Sequence, residues 1–323
     1  MYSIHKYSAS NLNLWNDFIS QSKNGTFLFN RNFMDYHKNR FEDYSLLVFK
    51  DEKLVAVLPA NRVEDKLFSH QGLTYGGLVI SKKLKLHHFI DLFKALLKFL
   101  DSNHFTTLNL KLIPSIYTSQ PSDELDYLLF LTKSKLYRKD TLSVVVLDEQ
   151  IKFSKDRLAG YKKGVKHGLE VREVDGFDEF WNAILIPNLK SKHGVNPVHS
   201  LEEITLLKQQ FPNKIRQFNV YSDNKIVAGT TIFETKYVAH SQYISGNDEK
   251  NQSGSLDFLH HYLIKEVFKS KRYFDFGISN ENNGLQLNSG LLYWKEGYGA
   301  RTITQDFYEV STENFKLLED VLI

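Results

Sequence analysis

The sequence predicts an α/β protein in which one mixed-sheet domain occurs twice in tandem. Residues 47–60 return in outline at 218–231, each as a strand, a tight polar turn and a second strand. Later landmarks keep nearly the same spacing, because His240 follows His70 by 170 residues and Phe274 follows Leu108 by 166. Both halves begin with helices and antiparallel strands and then alternate helix with strand. That order implies a mixed sheet with helices on both faces.

In the first copy, the clearest element is an amphipathic helix over 86–101, where apolar residues recur at helical spacing. Asn24-Gly25 marks a turn after the first helix. The full pattern predicts helices over 11–22, 31–40, 86–101 and 122–135, and strands over 45–50, 53–60, 67–80, 106–113 and 141–147.

The second copy repeats this order. Its pattern predicts helices over 176–190, 201–210, 254–269 and 284–296, and strands over 215–222, 225–235, 236–245, 272–277 and 302–310. We therefore expect a domain over 1–148, a connecting segment rich in lysine and glycine over 149–175, and a second domain over 176–323.

Composition narrows the class of protein. The chain has 323 residues, of which 42% are hydrophobic and 24% charged, as in soluble globular proteins with two ordinary domains. A net charge of +3 gives little general attraction to nucleic acid or anionic membrane. The absence of cysteine excludes disulfides and cysteine nucleophiles. With neither a signal peptide nor a long apolar run, we expect a cytoplasmic protein without a membrane span.

Four segments carry a resemblance to a known family. They are the linker 155–164 followed by Gly-Leu-Glu-Val at 168–171, the Asn-Pro-Val-His loop at 196–199, Phe-Asp-Phe-Gly at 274–277, and 290–300. In this order they resemble the FemAB-type family, in which two domains of the GNAT acyltransferase fold lie in one chain. Its best-known members add amino acids from aminoacyl-tRNA to peptidoglycan precursors. Tandem acetyltransferase-like proteins of bacterial polysaccharide biosynthesis are also similar.

The resemblance implies a bacterial N-acyltransferase that moves an acyl or aminoacyl group to an amine of a cell-envelope or nucleotide-sugar precursor. It implies acyl-CoA as co-substrate, with tRNA as a possible partner, and a small-molecule or nucleotide-linked acceptor. The alternative is a catalytically degenerate tandem fold that binds a ligand without chemistry, since fold alone does not decide function. The histidine and carboxylate spacing fits no metal site, so we expect none. The oligomeric state is left open.

Three residues are catalytic candidates. Lys295 matches the family lysine that stabilises the carbonyl oxygen as an amine attacks, although an exposed helix lysine would look the same. His199 could take a proton from the attacking ammonium, or could simply precede the helix that Ser200 caps. Asp275 could orient the amine, or could form a structural hydrogen bond to the next turn.

The donor is expected at the start of the 254–269 helix, where free backbone N–H groups favour a phosphate. The segment departs from the Arg/Gln-x-x-Gly-x-Gly/Ala pattern, with Asn251 at its first position and Leu256 at its last, and an ordinary helix cap explains it equally well. The donor-binding candidates are Gln252, Ser253, Gly254 and Ser255.

The acceptor is expected at two other places. A glycine pair in the first copy resembles the acceptor-side segment of the family, although a β-bulge would also explain it. A basic cluster in the connecting segment could hold a phosphate, although it could also be a solvated basic helix. The acceptor-binding candidates are Tyr75, Gly76, Gly77, Arg157, Tyr161 and Lys162.

Overall fold

The computed structural model describes residues 1–323, apart from the side chain of His193. The chain forms two compact units. The first consists of Met1–Asp140 and Thr304–Ile323, and the second of Thr141–Ile303. Both contain mixed β-sheet with helices, so the predicted α/β class is confirmed.

The elements follow in chain order. The strands are β1 (Tyr2–Lys6), β2 (Glu42–Asp43), β3 (Leu46–Lys50), β4 (Lys53–Leu58), β5 (Asn61–Val63), β6 (Lys66–Phe68), β7 (Val79–Ile80), β8 (Thr107–Lys111), β9 (Lys135–Val146), β10 (Glu170–Val174), β11 (Ile215–Ser222), β12 (Lys225–Glu234), β13 (Val238–Gly246), β14 (Tyr273–Ile278), β15 (Asn280–Glu281), β16 (Gln286–Leu287) and β17 (Arg301–Ser311). The α-helices are α1 (Leu12–Gln21), α2 (Arg31–Met34), α3 (Leu86–Ser102), α4 (Glu124–Leu131), α5 (Lys155–Lys166), α6 (Asp178–Phe180), α7 (Ile186–His193), α8 (Leu201–Gln210), α9 (Lys250–Ser253), α10 (Ser255–Tyr262) and α11 (Ser289–Glu296). A π-helical turn, Trp181–Leu185, joins α6 to α7.

In the first unit, one sheet has the strand order β1-β3-β4-β7. The strands β2, β5, β6, β8 and β17 pair in that order, with β6 and β8 parallel and the other pairs antiparallel. Asp51 and Glu52 close the β3–β4 hairpin, and both have positive φ, as a tight hairpin turn requires. The core is built on α3, which buries seven apolar side chains.

In the second unit, the strand order is β10-β11-β12-β13-β14-β9. Asp223 and Asn224 close the β11–β12 hairpin with positive φ, as the corresponding pair does in the first unit. The strands β13 and β14 are parallel, and their pairing extends only over Val238–His240 and Tyr273–Asp275. The core lies between this sheet and α10, with Phe274 fully buried.

The two units share one strand order, but three strands of the second unit are each divided in the first. The counterpart of β11 is divided into β2 and β3, that of β12 into β4 and β5, and that of β13 into β6 and β7. The intervening loop 69–78 replaces the single strand expected over 67–80, because His70 and Gly77 adopt positive φ within it. The parallel pairs β6–β8 and β13–β14 have equivalent register, with Leu108 matching Phe274 as expected. The same register matches His240 with Phe68, so the expected match of His240 with His70 is wrong by two residues.

The last strand of each repeat belongs to the compact unit formed mainly by the other. In the first unit, β8 pairs with β17, whereas in the second, β14 pairs with β9. The compact units therefore do not have the same boundaries as the sequence repeats. The boundaries expected at 148 and 176 describe the repeats and remain a prediction. Residues 149–175 contain α5 and β10, which belong to the second unit.

Candidate functional site

A cavity of about 830 Å³ lies in the second unit at the carboxyl end of β13. Ser245 and Gly246 of β13 reach its wall, and α5, α7, α9, α10 and α11 supply the rest. Asn188 of α7 donates hydrogen bonds to Ser245 Oγ, at 2.8 Å, and to the carbonyl oxygen of Gly246, at 2.7 Å. The cavity is thus held open between a strand end and a helix that are tied to each other.

Two lysines converge on this cavity. Lys192 on α7 and Lys250 on α9 both line it, and neither forms an ion pair with another described residue. Partial burial and the neighbouring Lys192 charge lower the pKa of Lys250, although the Asp248 carboxylate acts in the opposite direction. Two like charges held near each other favour an anion between them.

A second group of side chains fixes the opposite wall. The Asp257 carboxylate accepts hydrogen bonds from Arg157 Nη1 at 2.6 Å, Trp294 Nε1 at 2.9 Å and the Tyr298 hydroxyl at 2.9 Å. Burial and the adjacent Asp257 raise the pKa of Tyr298 well above its usual value, so this hydroxyl stays a donor. Arg157, expected on the acceptor side, therefore lies paired in the wall of this cavity.

The predicted donor loop lies beside the cavity, but its four residues do not line it. Gln252 and Ser253 end α9, and Gly254 has a left-handed φ of +70° before Ser255 begins α10. A Cβ on Gly254 would lie 2.1 Å from the Gly160 carbonyl oxygen, so only glycine permits this approach of α10 to α5. The loop residue that reaches the cavity is Asn251.

Lys295 is buried, with 2% of its surface exposed, which excludes the exposed-lysine alternative. Its Nζ donates to the carbonyl oxygens of Gly277 at 3.0 Å and Ile278 at 2.6 Å, so two of its three N–H donors are used. Burial lowers its pKa to about 8, although the nearby Asp275 carboxylate acts in the opposite direction. It lies outside the cavity wall, next in sequence to Trp294.

The other two catalytic candidates are also buried. Asp275 Oδ1 accepts a hydrogen bond from the Gly277 backbone N–H at 2.7 Å, so Asp275 does form a structural hydrogen bond to the next turn. Its Oδ2 is hydrogen-bonded to His240 Nδ1 at 2.9 Å. His199 Nδ1 lies 2.6 Å from the Tyr243 hydroxyl. Neither candidate lines the cavity.

The acceptor candidates of the first unit lie in a tight segment. The buried Tyr75 hydroxyl donates to Thr26 Oγ1 at 3.0 Å. A Cβ on Gly76 would lie 2.0 Å from the Ser69 carbonyl oxygen, and Gly77 has a φ of +89°. Close backbone packing requires glycine at the first position and positive φ favours it at the second, with or without a bound acceptor.

The remaining acceptor candidates lie on α5 of the second unit. Tyr161 stacks on the ring of His261 with centroids 3.8 Å apart, and Lys162 is exposed. Neither lines the cavity, although Lys163 beside them does.

In the described part of the chain, no group of three histidine or carboxylate side chains could hold a metal ion. Nor does any described helix have the length and apolar character needed to cross a bilayer.

Comparison with known proteins identifies the fold. No protein-family model matches the chain, and no curated protein sequence matches it. Among solved structures, FemX is similar with a TM-score of 0.67 and 9% identity, over 98% of this chain and 99% of that one. The C-terminal domain of a putative lysylphosphatidylglycerol synthetase from Agrobacterium fabrum gives 0.60 and 13%, over 94% and 91%.

A tandem GNAT protein from the clavulanic acid biosynthesis pathway gives a TM-score of 0.52 and 13% identity, over 97% of this chain and 99% of that one. The likeness extends over nearly the whole length of all three. The chain therefore has the tandem GNAT-like fold, and the resemblance to the FemAB type is confirmed at the level of fold. At these identities the comparison shows fold alone.

Three residues of interest were not found from the sequence as site residues. Lys192 and Lys250 are far apart in sequence, and no local motif connects them. His240 was used only as a landmark of the repeat, although a histidine and an aspartate on successive core strands could have suggested the pair.

Proposed function

We propose that the protein is an N-acyltransferase whose anionic donor, acyl-CoA in the first instance, binds in the cavity of the second unit. The observation that carries the proposal is the Lys192 and Lys250 pair. Both carboxylates of the cavity already have partners, since Asp257 pairs with Arg157 and Asp156 accepts from the Tyr293 hydroxyl at 2.6 Å. The lysine charges are therefore left for a ligand, and phosphate groups suit them.

Size and position support the same proposal. A cavity of about 830 Å³ accommodates a large part of a cofactor-sized ligand. It adjoins the start of α10, where helix N–H groups also favour an anion. The structure of the similar tandem GNAT protein is described as being without AcCoA, and acetyl-CoA is the donor that we test first. The likeness to FemX and to a lysylphosphatidylglycerol synthetase domain supports an aminoacyl donor, such as aminoacyl-tRNA, as the second form of the proposal.

In the proposed reaction, an acceptor amine attacks the acyl carbonyl carbon while the bond to the donor breaks. Lys295 keeps one N–H beyond the two that bond Gly277 and Ile278, and we assign that donor to the developing oxyanion. We propose that the acceptor is a small or nucleotide-linked amine of a cell-envelope precursor. We also propose that the protein acts in the cytoplasm.

Thermal shift with acetyl-CoA tests the donor. A ligand that binds only the folded protein raises its melting temperature, so acetyl-CoA should stabilise the wild type. Lys192→Ala combined with Lys250→Ala should weaken binding by about a hundredfold or more, since hydrogen bonds to charged groups contribute about 1.5–3 kcal/mol each and about 1.4 kcal/mol is tenfold. Lys225→Ala combined with Lys269→Ala removes the same charge from exposed positions outside the cavity and should leave binding unchanged.

The outcomes separate the alternatives. Stabilisation by aminoacyl-tRNA but not by acetyl-CoA would identify the tRNA form. Binding of acetyl-CoA without thiol release over a panel of amines would favour the ligand-binding module. Equal binding by both double variants would show that the lysine pair does not hold the donor.

A further inference from the structure

His240 and Asp275 form a buried pair at the point where two parallel strands separate. They are the last paired residues of β13 and β14, and β13 continues without this partner to Gly246. Their side chains meet with Nδ1 and Oδ2 2.9 Å apart. Asp275 is fully buried, whereas 12% of the His240 side chain is exposed. Solvent or a ligand can therefore reach the imidazole but not the carboxylate.

The carboxylate determines the state of the imidazole. The Gly277 N–H donates to Asp275 and the Lys295 ammonium lies near it, which favours the ionised carboxylate. An ionised carboxylate only accepts hydrogen bonds, so we place a proton on Nδ1 of His240. In the neutral imidazole, Nε2 is then the basic nitrogen, and no described residue bonds to it. Gly277 follows with a φ of +69°, and a Cβ there would lie 3.2 Å from His240 Cε1. Glycine thus leaves space beside the ring.

The first unit provides an internal comparison. Its parallel pair β6–β8 extends over three residues in equivalent register and ends with Phe68 opposite Asn109. These residues take the places of His240 and Asp275. The same parallel pairing therefore forms without a charged pair, and the fold does not account for the histidine and aspartate of the second unit.

We propose that His240 is the general base of the transfer reaction and that Asp275 is its positioning residue. This inference rests on the proposed N-acyltransferase function. As the amine nitrogen bonds to the acyl carbon, the C–S or C–O bond to the donor breaks. The surplus proton on nitrogen passes to Nε2 of His240 and then to the departing thiolate or alkoxide.

The residues paired with His240 and Asp275 across the sheet cannot replace the imidazole as the base. Opposite His240, β12 presents Phe233, and opposite Asp275, β9 presents Val144, and neither titrates. From α11, Lys295 interacts electrostatically with Asp275. Its amine is mostly protonated at neutral pH and therefore cannot accept a proton. The imidazole is thus the group of this set that can accept a proton from an amine.

The first experiment is nitrogen NMR of the histidine-labelled protein, which does not depend on activity. At pH 8, the spectrum of His240 should show a protonated Nδ1 and a bare Nε2, and Asp275→Asn should abolish this preference. A proton on Nε2 in the wild type would overturn the proposal, even if the protein proves to be a transferase.

The second experiment measures thiol release from acetyl-CoA with a panel of amines. His240→Asn keeps an N–H donor near the Nδ1 position but removes the base, so turnover should fall about a hundredfold or more while acetyl-CoA stabilisation is unchanged. The acid limb of the pH–rate profile should vanish with it. His167→Gln, at an exposed histidine, is the matched control.

The two proposals fail differently. Full turnover by His240→Asn would overturn the base while leaving the transferase intact. Absence of acetyl-CoA binding and turnover in the wild type would count against the proposed function, and the NMR experiment would then decide the tautomer on its own. For Asp275→Asn, a lowered kcat with unchanged KM and a shifted pH profile would support a positioning role. The NMR spectrum of the same variant shows whether it is folded, so a loss of activity caused by misfolding would be recognised.

Discussion

The buried ammonium of Lys295 predicts an unusual dependence of stability on pH. Its pKa is lowered from 10.5 to about 8 in the folded state, mainly by burial. Between these values the unfolded chain binds more protons than the folded one, so the free energy of unfolding should rise with pH. The full difference corresponds to about 3 kcal/mol, of which about 2.5 kcal/mol should be regained between pH 7 and pH 10.

Lys295→Met isolates this contribution because it removes the titrating group and keeps most of the apolar stem. Urea unfolding of both proteins at pH 7, 8, 9 and 10 should show the wild type gaining stability relative to the variant across the series. Titrating groups that do not interact with Lys295 cancel in the difference. Lys269→Met, at an exposed lysine, should show no such gain. A difference between wild type and Lys295→Met that is constant with pH, or that falls, would refute the reasoning.

Two further predictions concern backbone conformation and capping. Gly254→Ala should cost more stability than Gly168→Ala, because both have positive φ but only the first would place its Cβ against the Gly160 oxygen. We expect about 1–2 kcal/mol for Gly168→Ala, measured by urea unfolding, and equal losses would contradict the packing argument. Ser200→Ala should cost about 1 kcal/mol, because Ser200 Oγ accepts from the Glu203 N–H in a capping box. An unchanged unfolding midpoint would count against that cap.

Local patterns predicted the elements whose causes lie within a few residues. The helix 201–210 was predicted with its observed bounds, since the Ser200 cap and apolar spacing both lie in the segment. The two hairpins were also predicted, because each turn is formed by adjacent polar residues with positive φ. The predicted helix 86–101 differs from α3 by one residue at its end.

Features that depend on distant partners were not predicted. The sequence shows that β9 and β17 are strands, but not that they enter the units formed mainly by the other repeat. The lysine and glycine content of 149–175 predicts a connecting segment, whereas the structure places the helix α5 there. Those glycines allow close packing, since a Cβ on Gly160 or Gly164 would lie 1.8 Å or 2.6 Å from atoms of α10. Composition alone does not distinguish such a contact from a linker.

In the candidate site, too, features set by nearby residues could be predicted, whereas those that depend on distant segments could not. Lys295 could be identified from the motif around it, but its buried contacts with two carbonyl groups depend on β14, a different segment. The Lys192 and Lys250 pair requires α7 and α9 to meet at one cavity. Its chemistry is clear only once both side chains are placed.

The continuity of one strand explains why the second unit carries the candidate site. β13 extends for nine residues, with one register shift at Gln242 in its pairing with β12. It leaves its parallel partner after His240 and still delivers Ser245 and Gly246 to the cavity. Its counterpart in the first unit stops at Phe68, and pairing resumes only at Val79. A strand that ends so early cannot carry residues the same distance beyond the parallel pair. The two units therefore share one strand order, while the division of the β13 counterpart changes which residues the sheet presents beyond the parallel pair.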